Sequence, residues 1–265
     1  MKTEAWTQAV RHQFGLGRLL PLGGPADGAW ITEQTAVQVL GRAASEIPGV
    51  RLESVRIGPA PLEPVSEPAV RPPAGAMPPG PLRIEAAFSA SLGRPLPETA
   101  DELRSTLLDA AARRLGLATV TADLRVTGLH EIPQTDTKSR TGAEPMRPAP
   151  ASPAPAPPAP APAAARSSLP GAGAGSPRGP VGDLADVVTG VPGVAGLASV
   201  LGTRPVKVED RADQPGRRVE VHLAVAPGHH PLEVARTVRA SVAAAAATDA
   251  PGPVTVAVLV TGTAA

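Results

Sequence analysis

Slid against itself at an offset of 135 residues, the chain matches without a gap across a whole strand-and-helix stretch. Arg83 meets Arg218, Glu85 meets Glu220, Gly93 meets Gly228, Glu98 meets Glu233 and Arg104 meets Arg239. Apolar positions keep the same register, with Ile84 against Val219, Phe88 against Leu223, Leu103 against Val238 and Leu107 against Val242. An Ala-rich chain matches itself by accident at Ala, so the weight rests on the Gly, Glu and Arg identities. Upstream, Ile47-Pro48-Gly49-Val50 recurs as Val191-Pro192-Gly193-Val194, and downstream Val126-Thr127-Gly128 recurs as Val260-Thr261-Gly262. Three segments recurring in one order constrain the chain to two copies of one small module.

Between the copies, residues 133–180 lose all hydrophobic periodicity and become rich in Pro, Ala, Gly and Ser. Such a stretch cannot bury enough apolar surface to offset the entropy of ordering it, so it reads as a disordered linker. Its Pro/Ala part, 145–162, favours polyproline II at ~3.1 Å per residue, and its Gly/Ser part, 167–179, reads as flexible. The domain plan is a 1–30 extension, a first module over 31–132, the linker over 133–180 and a second module over 181–265. Aromatic residues make up only 2% of the chain, so two small aliphatic cores are expected, neither very stable alone.

Each copy reads as α+β. A first helix, 32–46 or 182–189, has apolar residues at helical spacing and stops at the Pro-Gly pair. Thr32, with Thr35 three residues on, is the expected cap of the first, and Asp183 of the second. A short strand follows, 52–57 or 206–209, then an alternating strand, 82–89 or 218–226, in which Val219, Val221, Leu223 and Val225 face opposite to Glu220 and His222. A long helix, 97–115 or 232–247, leads to a closing strand, 120–126 or 254–259. The crossover rule makes the last two strands of each copy parallel neighbours, with helices on one sheet face and the other face or an edge left for a partner. The first copy carries a Pro-rich insert, 58–81, which reads as disordered.

Chemistry is sparse. The chain has no cysteine, which excludes disulfides, thiolate metal sites and cysteine nucleophiles. The net charge of +1 is mixed in sign rather than gathered into a basic block, so nucleic acid is not an expected partner. Gln8, Arg11, His12 and Gln13 interrupt any signal core, and the Ala-rich run near 243–247 is far short of the ~20 residues that span a bilayer. Arg greatly outnumbers Lys in an Ala-, Pro-, Gly- and Val-rich background, as in proteins of a high-GC bacterium such as an actinobacterium. His229-His230 lacks a third ligand nearby and reads as a solvated turn; no metal and no cofactor is expected. The glycines near Gly15 and Gly23 lack the Gly-Lys-Ser/Thr of a phosphate loop. Glu98 and Glu233 sit in the first turn of a helix, a structural position, and no catalytic residue is assigned. The one segment that asks for a partner is N-terminal: Trp6, Val10 and Phe14 form an apolar stripe at i, i+4 and i+8, and Trp30 brings the aromatics there to three of the chain's four. These four residues are the candidate docking residues, for the first module itself, a partner or the membrane surface.

The order helix, Val/Ile-Pro-Gly-Val, strand, alternating strand, Gly, the Pro231-Leu232-Glu233-Val234-Ala235-Arg236 helix and a Val-rich last strand resembles the alkaline shock protein family of bacterial envelope-associated stress proteins. The likeness is closest over 183–261 and departs from the family in the duplication, the insert and the N-terminal extension. It implies a non-enzymatic scaffold, cytoplasmic or peripheral at the inner face of the cell membrane, held there by a membrane-anchored protein partner or by self-association. A pair of domains binding a small regulatory ligand is the alternative.

Overall fold

The computed structural model describes residues 18–61, 67–131, 180–198, 204–210 and 215–263. Trp6, Val10 and Phe14, and the linker apart from Pro180, lie outside them. In chain order the elements are β1 (Leu19–Leu22), β2 (Ala29–Thr32), α1 (Glu33–Ser45), β3 (Val50–Pro59), β4 (Leu82–Ser91), α2 (Leu96–Ala110), a π-helical turn (Ala111–Leu115) and β5 (Thr119–His130). Then follow α3 (Pro180–Thr189), β6 (Val194–Leu197), β7 (Val206–Asp210), β8 (Arg217–Val225), α4 (Pro231–Ala246) and β9 (Val254–Thr263). The architecture is mixed α+β with two sheets.

Local chemistry sets the ends of these elements. The Thr32 hydroxyl accepts the Thr35 amide at 3.4 Å, capping α1, whose first turn carries Glu33 and whose last carries Arg42, both favourable to the helix dipole. Pro lies in the first turn of α2 and α4, where its missing amide costs no helical bond. At the Pro-Gly pairs, Gly49 and Gly193 take positive φ, and their carbonyls accept the Ser91 and Ala226 amides, each at 2.8 Å.

In the first sheet β4 is central, antiparallel to β3 and parallel to β5. In the second, β8 is central, antiparallel to β6 and β7 and parallel to β9. The registers follow one another closely. Phe88 pairs with Val126 and Leu223 with Val260, and in both ladders the register then shifts by a bulge. The extra residue is a threonine each time: Thr127 donates its hydroxyl to the Phe88 carbonyl at 2.9 Å, and Thr261 donates to that of Leu223 at 3.2 Å. Where the first half has the continuous β3, the second has β6 and β7 in succession on β8.

The second sheet has two strands more than the residue pattern foretells. β2 pairs parallel with β9, Ala29 to Val258 and Ile31 to Val260, and β1 pairs antiparallel with β2. Both lie at the N-terminal side of the first half, so that half's leading strands extend the sheet of the second. The expected two separate cores are accordingly one: Ile31, Leu40, Phe88, Leu223, Val238 and Val258 belong to a single buried cluster. Cores made almost wholly of Val, Leu, Ile and Ala bury little area apiece, and merging them removes the apolar faces each half would otherwise leave wet.

Polar contacts hold the seam. The Thr35 hydroxyl donates to the Thr261 carbonyl at 2.9 Å, joining α1 to β9. Arg18 grips Glu33 at 2.8 Å and the Ile57 carbonyl at 2.7 Å, tying β1 to α1 and β3. The Gly23 amide donates to the Gly116 carbonyl at 2.9 Å. Gly116 itself has φ of +83°, and a Cβ there would stand 2.6 Å from the Leu232 Cβ, at the start of α4. Gly116→Ala is therefore expected to cost roughly 2 kcal/mol and several degrees of Tm. Thermal melting followed by circular dichroism measures it.

Candidate interaction surface

Trp30, the one candidate docking residue among those described, is 1% exposed. Its cover is the chain's own. Leu19, Val70, Ala257, Leu259 and Ala76 surround it in a second small apolar cluster, and its indole N–H donates to the Met77 carbonyl at 3.2 Å. Of the insert, 58–61 and 67–81 are described: Gly58 and Pro59 close β3, and 67–81 packs on the face of the second sheet opposite the main core, which corrects the reading of that stretch as disordered. It is pinned by main-chain bonds from Ala69 to Pro25 and from Met77 to Leu19, each 2.9 Å, and by Arg218, which donates to the Arg71 carbonyl at 3.1 Å. The expected open sheet face is therefore covered at β1, β2 and β9.

Around β7 and β8 the same face carries charge. Lys207 stands across from Glu220 and Glu209 across from Arg218. Glu220 also meets His222 Nε2 at 2.9 Å. That hydrogen bond is the main reason its carboxyl sits below the ordinary glutamate range; burial works against it, and Arg218 and Lys207 help. Alternation along β8 made the polar face legible, but the Glu220–His222 contact joins two residues of one strand and left no separate signal. The counterpart Glu85 is exposed and bound to Arg83 instead.

His229 and His230 do not converge. His229 Nδ1 lies 3.1 Å from the Pro227 carbonyl and His230 Nε2 lies 3.4 Å from that of Ala112, on the other half of the chain. Among the described residues no group of three or more His, Asp or Glu side chains is placed to hold a metal ion. Glu233 is bound to Arg236 at 2.7 Å on the surface of α4.

The exposed large aliphatics gather elsewhere. Among the described residues they are Leu92 at 60%, Leu129 at 55%, Val120 at 51% and Val126 at 38%, all on β5 or at its end, where the Leu92 amide bonds the His130 carbonyl. In the second half the equivalent strand β9 has its outer edge taken by β2, and Val256, Val258 and Val260 are buried. No described strand pairs with the outer edge of β5. A twelve-residue edge with unpaired amides and an apolar fringe is a ready template for another strand. A shallow groove of about 370 Å³ lies at the other edge of this sheet, between α1 and β3, lined by Val37, Gly41 and Ser45 on the helix and by residues 50–55 on the strand.

No protein-family model matches the chain, and neither a curated protein nor a solved structure matches it. Among the described residues no helix is long and apolar enough to cross a membrane.

Two outcomes follow from these contacts. Trp30→Ala empties a sealed site and is expected to cost about 3–5 kcal/mol while releasing the insert, read as faster proteolysis within 67–81. Glu220 is depressed when folded, so its contribution to stability is full above the ordinary glutamate value of about 4.3 and is lost as pH falls through its lower folded value. Melting curves of the wild type and Glu220→Gln should therefore differ at neutral pH and converge in acid.

Proposed function

We propose that this chain is an internally duplicated, non-catalytic association protein of the alkaline-shock type, working by protein–protein contact at the inner face of the cell membrane. The duplication is supported by the matched ladders, above all the shared bulge at Thr127 and Thr261 with its threonine-to-carbonyl bond. Two modules, 31–132 and 181–265, joined through a linker at 133–180, are the units of that reading.

The observation that carries association is the outer edge of β5. It has the same place in the first half that β9 has in the second, yet β2 lies on the outer edge of β9 and, among the described residues, no strand lies on that of β5. A strand added there would cover Val126 and Leu129 and satisfy the free amides and carbonyls, the mode by which sheets commonly take an extended partner. Leu129→Glu and Leu92→Glu place charge on this fringe without touching the core, so Tm should move little. Crosslinking in envelope fractions should lose the partner seen with the wild type. Undiminished crosslinking by both variants would remove β5 from the proposal.

The groove between α1 and β3 favours the second reading, a small regulatory ligand. A thermal-shift screen with metabolites separates the two, since a ligand that binds only the folded state raises Tm by mass action.

A further inference from the structure

The edge of β5 is complementary to itself. Two bulges bound its regular part: the register with β4 slips between Thr119 and Thr121 and again between Val126 and Gly128. The residues regularly paired between the slips are 121–126, and with Thr127, the extra residue of the second bulge, they make a run of seven whose middle residue is Leu124. Turned end for end about Leu124, it sets Asp123 opposite Arg125, Ala122 opposite Val126 and Thr121 opposite Thr127. Asp123 and Arg125 are both exposed on the face away from the helices. Asp123 has only a 3.7 Å contact with Arg83, and no ion pair to Arg125 occurs among the described residues.

The backbone agrees with this register. Arg104 Nε donates to the Ala122 carbonyl at 3.2 Å from the outer side of the strand, so by alternation Ala122, Leu124 and Val126 direct their amides and carbonyls outward. The second half behaves alike, for Val258, the counterpart of Leu124, donates its amide outward to Gly28 at 3.0 Å. Leu124 opposite Leu124 and Ala122 opposite Val126 are therefore the pairs that exchange amide–carbonyl bonds, and Asp123 opposite Arg125 is a non-hydrogen-bonded pair, where facing side chains come closer. A carbonyl has two lone pairs, so the Ala122 bond to Arg104 need not break. The repeated arginine marks the same difference: Arg239 reaches from α4 to the Ala26 carbonyl of the segment entering β2, whereas Arg104 of α2 bonds the Ala122 carbonyl of β5 and Asp101 of its own helix.

We propose that two copies of this chain pair antiparallel along β5, Leu124 opposite Leu124, with Asp123 of each copy opposite Arg125 of the other. The pairing rests on the association reading above and names its partner as a second copy. It joins two three-stranded sheets into one with the helices of both copies on the same side. It also carries Val120 of each copy to the region of Gly128 and Leu129 of the other, so the exposed aliphatics at the two ends of β5 meet.

Sedimentation equilibrium of the full chain, up to roughly 100 µM, tests it with charge swaps. The wild type should dimerise. Asp123→Arg sets Arg against Arg, and Arg125→Asp sets Asp against Asp, so each variant alone should dimerise roughly tenfold or more weakly. Mixed in equal amounts, the two should form a heterodimer, and a chain carrying both swaps should dimerise again. Melting curves recorded at a dilution where the wild type too is monomeric, and unchanged in the exposed-site variants, show that folding is intact. A monomeric wild type, single variants that dimerise as the wild type does, or a mixture that stays monomeric would each overturn the pairing. A monomeric wild type that still crosslinks to an envelope protein through Leu129 overturns only the choice of partner; one that crosslinks to nothing also removes the association reading.

Discussion

The pairing of β2 with β9 is the contact on which the rest of the molecule depends. It takes the strand that leads into the first half and lays it along the last strand of the second, so the two halves close one sheet. Ile31 then lies in the main core and Trp30 on the opposite face, beneath the insert. The need for such closure comes from composition. With four aromatic residues in the whole chain, each half has mostly aliphatic side chains to bury, and a module of that kind alone recovers little hydrophobic free energy against its conformational entropy.

That solution is used once and leaves the halves unequal. Two ladders built on the same register, with the same threonine bulge, end in different surroundings: β9 has β2 on its outer edge, and among the described residues β5 has no strand there. The apolar fringe at Leu92, Val120, Val126 and Leu129 lies where, among the described residues, no strand takes the place that β2 takes beside β9. The contrast between Arg239, bound to the segment entering β2, and Arg104, bound to β5 and to Asp101 of its own helix, expresses the same inequality in polar contacts. The proposed association rests on this asymmetry and not on a cluster of reactive groups.

Much of the fold was legible in the residues because it rests on period. The alternation of Val219, Val221, Leu223 and Val225 against Glu220 and His222 gave β8 its two faces, and Thr32 with Thr35 gave α1 its start. β1 and β2 were not legible, since Leu19–Leu22 and Ala29–Thr32 are buried on both faces and four such residues carry no alternation. The insert misled for a related reason. Its prolines suggested disorder, while the few residues that matter, Val70, Ala76 and Met77, act singly on Trp30 and form no pattern. Trp30 is an aromatic in want of cover, and its cover comes from Leu19, from Val70 and Ala76 of the insert and from Ala257 and Leu259 of β9. The candidate edge was legible only as a strand; that it is bare depends on what the other half does with its own.

Whether the halves form one cooperative unit is decided by calorimetry of the whole chain. A shared core closed by β2 on β9 requires a single thermal transition whose calorimetric and van't Hoff enthalpies agree. Two separable transitions, each with the enthalpy of one half, would contradict it.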